Sequence, residues 1–254
     1  MKGRIGALLD LLLPRFCPLC GRKLFVREEF LCADCIKGLP LSYFWLEEHN
    51  PMEERFNLRI QQLLDKEPAG SWECTSGAMA LFFYRGEYKK LTQELKYKAN
   101  LELGEWLGEA LGRKLLLCGN YADVDIIIPV PLHIIRYARR GYNQSAIIAK
   151  GIVKAFTQEL CMQKNLLCRN RRTSSQVHIA PEHKSANVAG AFKVKGEFPI
   201  KPRHILLVDD VFTSGSTLAE CQHCLRKALA AQFGRYEAAR IRISAATLAF
   251  VGDM

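Results

Sequence analysis

The sequence contains no apolar run approaching the roughly 18 residues a membrane-spanning helix requires. The stretch Gly6-Ala7-Leu8-Leu9-Asp10-Leu11-Leu12-Leu13-Pro14 is short and broken by Asp10. It runs directly into a cysteine pair with no small-residue cleavage site, so it does not read as a secretion signal. The expectation is a cytoplasmic protein without a membrane span, its thiols reduced or metal-bound. Gly-x-Gly-x-x-Gly and the Lys-bearing phosphate loop of nucleotide hydrolases are both absent, which argues against a dinucleotide site and against that nucleotide fold. There are no internal repeats and no low-complexity tracts. What is present is ordinary globular material: 254 residues, 49% hydrophobic and 24% charged, enough for one sizeable core with a small appended module.

The net charge of +10 is unevenly placed. Residues 133–203 carry +11, residues 1–40 carry +3, residues 41–132 carry −4 and residues 204–254 are neutral. A cationic block of this kind suits a polyanion, either nucleic acid or a phosphorylated small molecule, although a solvated surface is the plain alternative.

Six of the ten cysteines (Cys74, Cys118, Cys161, Cys168, Cys221 and Cys224) are scattered in apolar or helical contexts. The other four form two pairs, Cys17-Pro-Leu-Cys20-Gly21 and Cys32-Ala-Asp-Cys35, separated by eleven residues. Paired knuckles of this spacing converge on one tetrahedral ion; four thiolates leave no open position, so zinc there is structural rather than catalytic, and the ribbon-like spacing favours zinc over iron. A redox dithiol or reduced core cysteines are the competing readings. Cys221-Gln-His223-Cys224 falls within a helical pattern and reads as core packing.

The hydrophobic periodicity predicts a helix over 5–13, a turn-rich cysteine module over 16–38, and an irregular stretch over 41–75 with a helix at 57–64. Strands follow at 78–84, 124–131, 205–208 and 240–250, with helical patterns at 87–118, 143–160 and 217–231. Gly104 and Gly108 weigh against an unbroken helix over 87–118. Residues 169–192, polar and basic, read as a long loop or a short β-excursion. Alternation of strands and helices predicts an α/β, doubly wound, mainly parallel sheet. The domain boundaries expected are a zinc module at 1–40, a connecting segment at 41–77 and the α/β domain at 78–254.

The most informative run is Leu207-Val208-Asp209-Asp210-Val211-Phe212-Thr213-Ser214-Gly215-Ser216-Thr217. A buried strand delivers Asp209 and Asp210 to the carboxyl edge of the sheet, and a small-hydroxyl turn leads into a helix. Backbone N–H groups at the helix start, close approach at Gly215, and the hydroxyls of Thr213, Ser214, Ser216 and Thr217 suit a phosphate. The carboxylates do not suit a phosphate; they suit ribose hydroxyls and a magnesium ion. An N-capped helix after a strand accounts for one hydroxyl, not for four with two carboxylates.

Val208–Leu218 resembles the phosphoribosyl-pyrophosphate (PRPP) motif of type I phosphoribosyltransferases. The chain as a whole resembles the ComF family of competence-associated, phosphoribosyltransferase-like proteins. The resemblance rests on the four-cysteine module, Phe82-Phe83-Tyr84-Arg85-Gly86, Leu95-Lys96-Tyr97, Pro129-Val130-Pro131-Leu132-His133, Arg136 through Gln144, Thr173-Ser-Ser-Gln176 and Asn187-Val188-Ala-Gly190. It implies a type I phosphoribosyltransferase fold that binds PRPP with Mg²⁺, Asp209 and Asp210 serving the ribose and Val211, Thr213–Thr217 the phosphate. It further implies a pyrophosphate loop containing His133, Arg136, Arg139 and Arg140, and a hood carrying Arg171, Arg172, Gln176, Lys184 and Asn187. Lys184 stands where the family has Arg, which keeps the charge and loses the bidentate fork. The role implied is in DNA uptake during natural transformation, either as a phosphoribosyltransferase whose acceptor no motif names, or as a non-catalytic protein that binds single-stranded DNA, recombination partners or PRPP itself. Aromatics interleave the basic run only at Tyr137 and Tyr142, so a base-stacking platform has little support.

Overall fold

The computed structural model describes residues 14–65, 75–169 and 190–252. The helix expected at 5–13 lies outside them.

Five strands form one parallel sheet: β1 (Ala78–Phe83), β2 (Ile126–Pro129), β3 (Cys161–Met162), β6 (His204–Phe212) and β7 (Arg242–Phe250), in the order β1-β7-β6-β2-β3. A separate antiparallel pair, β4 (Leu167–Arg169) and β5 (Phe192–Val194), closes the base of the segment expected as a loop or β-excursion. β1, β2 and most of β6 and β7 are continuously apolar and buried, as strands covered on both faces must be. The covering helices are α4 (Leu101–Leu117) and α6 (Gln144–Ala155) on one face, and α2 (Pro51–Leu64) and α7 (Ser216–Phe233) on the other. The fold is therefore α/β and doubly wound, and next to it sits a small four-cysteine module that could hold a zinc ion. Among the described residues no helix is long and apolar enough to cross a membrane.

The chain leaves β2 toward α6 and the β3 edge, and leaves neighbouring β6 toward α7 and the β7 side. The two strands thus flank the topological switch point, where a crevice opens outside their carboxyl ends.

Four local expectations need correction. The helix placed at 57–64 starts at Pro51, because Asn50 caps it: its Oδ1 accepts from the backbone N–H groups of Met52 (3.1 Å) and Glu53 (3.0 Å), and Pro51 occupies the first turn. The pattern over 87–118 is two helices, α3 (Lys89–Tyr97) and α4. The break falls at Ala99, which takes φ +52°, and at Asn100, whose side chain caps α4, rather than at the glycines. Strand β6 does not stop at Val208 but pairs with β7 as far as Phe212–Phe250, so Asp209 and Asp210 sit on a strand and not in a loop. The basic loop after β2 is a short helix, α5 (Ile134–Arg140), capped by His133 and ended by Gly141 at φ +78°.

The glycines of α4 serve packing. A Cβ on Gly108 would lie 2.3 Å from the Ile148 carbonyl oxygen, and one on Gly151 of α6 would lie 2.1 Å from the Glu105 carbonyl oxygen. The two helix backbones touch at this crossing, and α6 is thereby pressed against β2 and β6 with its N-terminus at the crevice. Neither neighbour is a side-chain tip that can move aside. Gly151→Ala should therefore lose about 1–3 kcal/mol by overpacking, which outweighs the roughly 1 kcal/mol by which Ala is the better helix former. Thermal unfolding checks this; an unchanged or higher Tm would mean the helices do not meet at Gly151.

Candidate functional site

The cysteine module is built from two backbone knuckles. Gly21, at φ +73°, donates its N–H to the Cys17 carbonyl (2.8 Å), and the Cys17 N–H bonds the Arg22 carbonyl (2.8 Å). The second pair brackets the start of α1 (Ala33–Lys37), for which Cys32 is the N-cap residue. Glu28 ties the two together, accepting from the N–H groups of Phe25 (2.8 Å) and Ala33 (2.7 Å) and from Arg22 (2.8 Å). The result is four Sγ atoms within 4.8 Å of one another, Cys20 and Cys32 being 3.6 Å apart. Burial pushes the Cys32 thiol up, but hydrogen bonds from the Cys35 backbone and from the other three cysteines outweigh it and bring it down to about 7. Cys35 is pushed well up, by burial first and then by its cysteine neighbours. Four soft donors converging with one thiolate easily formed is a donor set that fits a tetrahedral zinc ion.

Helix α3 runs from this module to the crevice. Just before it, Tyr88 Oη donates to the Cys35 carbonyl (3.1 Å), and within it Lys90 Nζ reaches the Leu19 carbonyl (3.5 Å). At its far end Lys96 Nζ pairs with Asp210 Oδ2 at 2.6 Å.

The crevice encloses about 450 Å³. Its floor is the end of β6, with Asp209 and Asp210; Val130, Pro131 and Leu132 after β2 form one wall, and Thr217 belongs to the start of α7. Asp209 Oδ1 accepts from Ser145 Oγ (2.9 Å) and from the Asp210 N–H (2.9 Å). Burial first, and the Asp210 charge second, push the Asp209 carboxyl up to about 7 against those hydrogen bonds. Burial works against the charge of Lys96, but Asp210 outweighs it and raises the lysine pKa. Around the acidic pair stand five cations: Lys96, Arg136, Arg139, Arg140 and Arg169. Arg169 is pressed down in pKa, by burial first and by the neighbouring charge of Arg136 second.

The turn after β6 is held from the opposite side. Gly215 takes φ +78°, and a Cβ there would meet the Phe212 ring at 2.7 Å. The carbonyls of Thr213 and Ser214 accept from Arg55 (3.2 Å) and Arg59 (3.1 Å) of α2, and Ser214 Oγ bonds Ser216 Oγ (3.0 Å).

Of the residues singled out in the sequence, Asp209, Asp210, Thr217, Arg136, Arg139 and Arg140 line the crevice. Val211 lies at the adjoining strand end, Thr213, Ser214 and Gly215 form the turn, and Ser216 begins α7. His133 does not line the crevice: its Nδ1 accepts from the Ile135 N–H (3.3 Å) and caps α5. Arg171, Arg172, Gln176, Lys184 and Asn187 lie outside the described residues. Sequence reasoning missed Lys96, Gln144, Ser145 and Arg169 as crevice residues, and Arg55 and Arg59 as supports of the turn. Lys96 and Gln144 stood inside stretches that carried the family resemblance, but nothing in their spacing points across the sheet. Cys221 is buried in the core as expected.

No protein-family model matches the chain. Curated proteins do. It is 28% identical over 221 residues to competence protein F of Haemophilus influenzae, covering 83% of this chain and 90% of that one. It is 26% identical over 218 residues to the DNA utilization protein YhgH of Salmonella typhimurium (85% and 92%), and 26% identical over 205 residues to competence protein ComFC of Streptococcus pneumoniae (79% and 83%). Similarity at 26–28% identity over most of each chain supports the resemblance to the ComF family. The cysteine module is the most directly measurable feature of the chain. Metal analysis of the purified chain should give one zinc per molecule, and Cys17→Ser with Cys32→Ser should lose it; a full equivalent retained by the double variant would mean that the four thiols are not the site.

Proposed function

We propose that the protein binds PRPP in the crevice between β2 and β6 and serves DNA utilization, with a structural zinc in its cysteine module. The observation that carries the reading is the charge arrangement: two carboxylates at the strand end, which suit ribose hydroxyls, share the crevice with Arg136, Arg139, Arg140 and Arg169, which suit a diphosphate. The turn from Thr213 to Thr217, with the N-terminus of α7, suits the 5-phosphate. Arg136, Arg139 and Arg140 would take the pyrophosphate. The DNA-utilization role follows from what the relatives are named.

In this reading Ser145 and the Asp210 N–H orient Asp209, and Lys96 compensates Asp210, so the ribose is met by fixed acceptors. Magnesium arriving with the diphosphate would neutralise negative charge, and carboxylate oxygens suit so hard a cation. If the bound ligand reacts, the bond between ribose C1 and the pyrophosphate oxygen breaks as an acceptor nucleophile bonds to C1, and the electron pair leaves with pyrophosphate toward the arginines.

Calorimetry with PRPP and Mg²⁺ tests this. The double change Asp209→Ala with Asp210→Ala removes two charge-assisted interactions of about 1.5–3 kcal/mol each, so affinity should fall by roughly 100-fold or more. A double variant that binds as tightly as wild type overturns the ribose assignment. Tight, salt-sensitive binding of single-stranded DNA, indifferent to both aspartates, would assign the cationic wall to nucleic acid instead.

A further inference from the structure

Gln144 opens helix α6 and is only 2% exposed, yet its amide Nε2 has no hydrogen-bond partner among the described residues. Both sequence neighbours are fully engaged. Asn143 donates its amide to the Val130 carbonyl (2.9 Å) and accepts from the Ser145 N–H (3.1 Å), while Ser145 Oγ is fixed on Asp209. Residue 144 is therefore held where it is, and its side chain lines the crevice. A buried donor left open is unfavourable in the free protein and uncommon in native folds, so its position calls for an acceptor that the described fold does not supply.

The surroundings specify that acceptor. Helix α6 has 12 residues and its N-terminus carries partial positive charge. Arg136, Arg139 and Arg140 contribute formal positive charge to the same crevice. The two lining carboxylates are already engaged, Asp209 by Ser145 and Asp210 by Lys96. An anionic phosphate oxygen fits this environment; a neutral hydroxyl would leave the cations unused.

We propose that Gln144 reads the diphosphate of the ligand, its amide N–H donating to a non-bridging diphosphate oxygen at the N-terminus of α6. This rests on the crevice being a ribose-diphosphate site and names the residue that distinguishes a diphosphate from a lone sugar monophosphate there. A neutral amide adds direction without adding charge, in contrast to the arginines.

Gln144→Leu tests it, because it removes the open donor and keeps the bulk. The melting temperature without ligand, and calorimetric affinities for PRPP, inorganic pyrophosphate and ribose 5-phosphate, are measured on the wild type and the variant. The variant should melt at or above the wild type, bind PRPP and pyrophosphate tenfold or more weakly, and bind ribose 5-phosphate within about twofold of wild type. Equal pyrophosphate affinity in the two proteins would overturn the proposal. So would a lower melting temperature with all three affinities falling together, which is the signature of a structural role. Gln144→Glu guards against a misfolded first variant: repulsion should cost it more pyrophosphate affinity than Gln144→Leu, and equal affinity would again overturn the assignment. Wild-type protein that binds pyrophosphate but not PRPP would refute the ribose reading while leaving Gln144 testable on pyrophosphate; wild-type protein that binds none of the three refutes both.

Discussion

Two adjacent carboxylates at the end of a parallel strand repel each other and lose water on being buried, and the architecture around β6 is organised to hold them there. Asp209 is met by a serine hydroxyl from α6 and by the next backbone N–H, and still its carboxyl is pushed up to about 7. Asp210 is met by Lys96 from α3 at 2.6 Å. The two side-chain partners, Ser145 and Lys96, come from different helices, so the acidic pair depends on the placing of both.

That placing explains features that look unrelated in isolation. Helix α6 can present Ser145 and Gln144 only if it lies close against α4, and the glycines at 108 and 151 allow the backbones to touch. Helix α3 carries Lys96 at one end, while Tyr88 just before it and Lys90 within it hold the backbone of the cysteine module. The module is thus the anchorage of the helix that compensates Asp210. On the other face α2 grips the turn after β6 through Arg55 and Arg59, and Arg55 also lies 4.9 Å over the Phe250 ring.

Features encoded locally were legible in the sequence, and features encoded by contact were not. The paired cysteine spacing, the buried strand before Asp209 and the small-hydroxyl turn are contiguous, and their chemistry survives being read as a string. Lys96 and Asp210 are 114 positions apart and meet only because α3 ends above the sheet's carboxyl edge. His133, beside three arginines, was legible as a candidate for an anion site, but that its ring accepts from the Ile135 N–H and caps α5 was not. Gly104 and Gly108 misled because glycine weakens an isolated helix, and only the presence of α6 reveals the close approach they permit. The helix start at Pro51 was missed since Asn-Pro reads equally as a turn and as a cap with its first residue.

In the proposed function one crevice, at the switch between β2 and β6, takes the whole sugar diphosphate. Amide hydrogen exchange with and without PRPP and Mg²⁺ tests it most directly, because it locates the ligand without altering any residue. Exchange should slow together in residues 209–219, in α5 and in the first turn of α6, with the cysteine module unchanged. Protection confined to the cysteine module or to the far edge of the sheet, or none at ligand concentrations that saturate the protein, would contradict it.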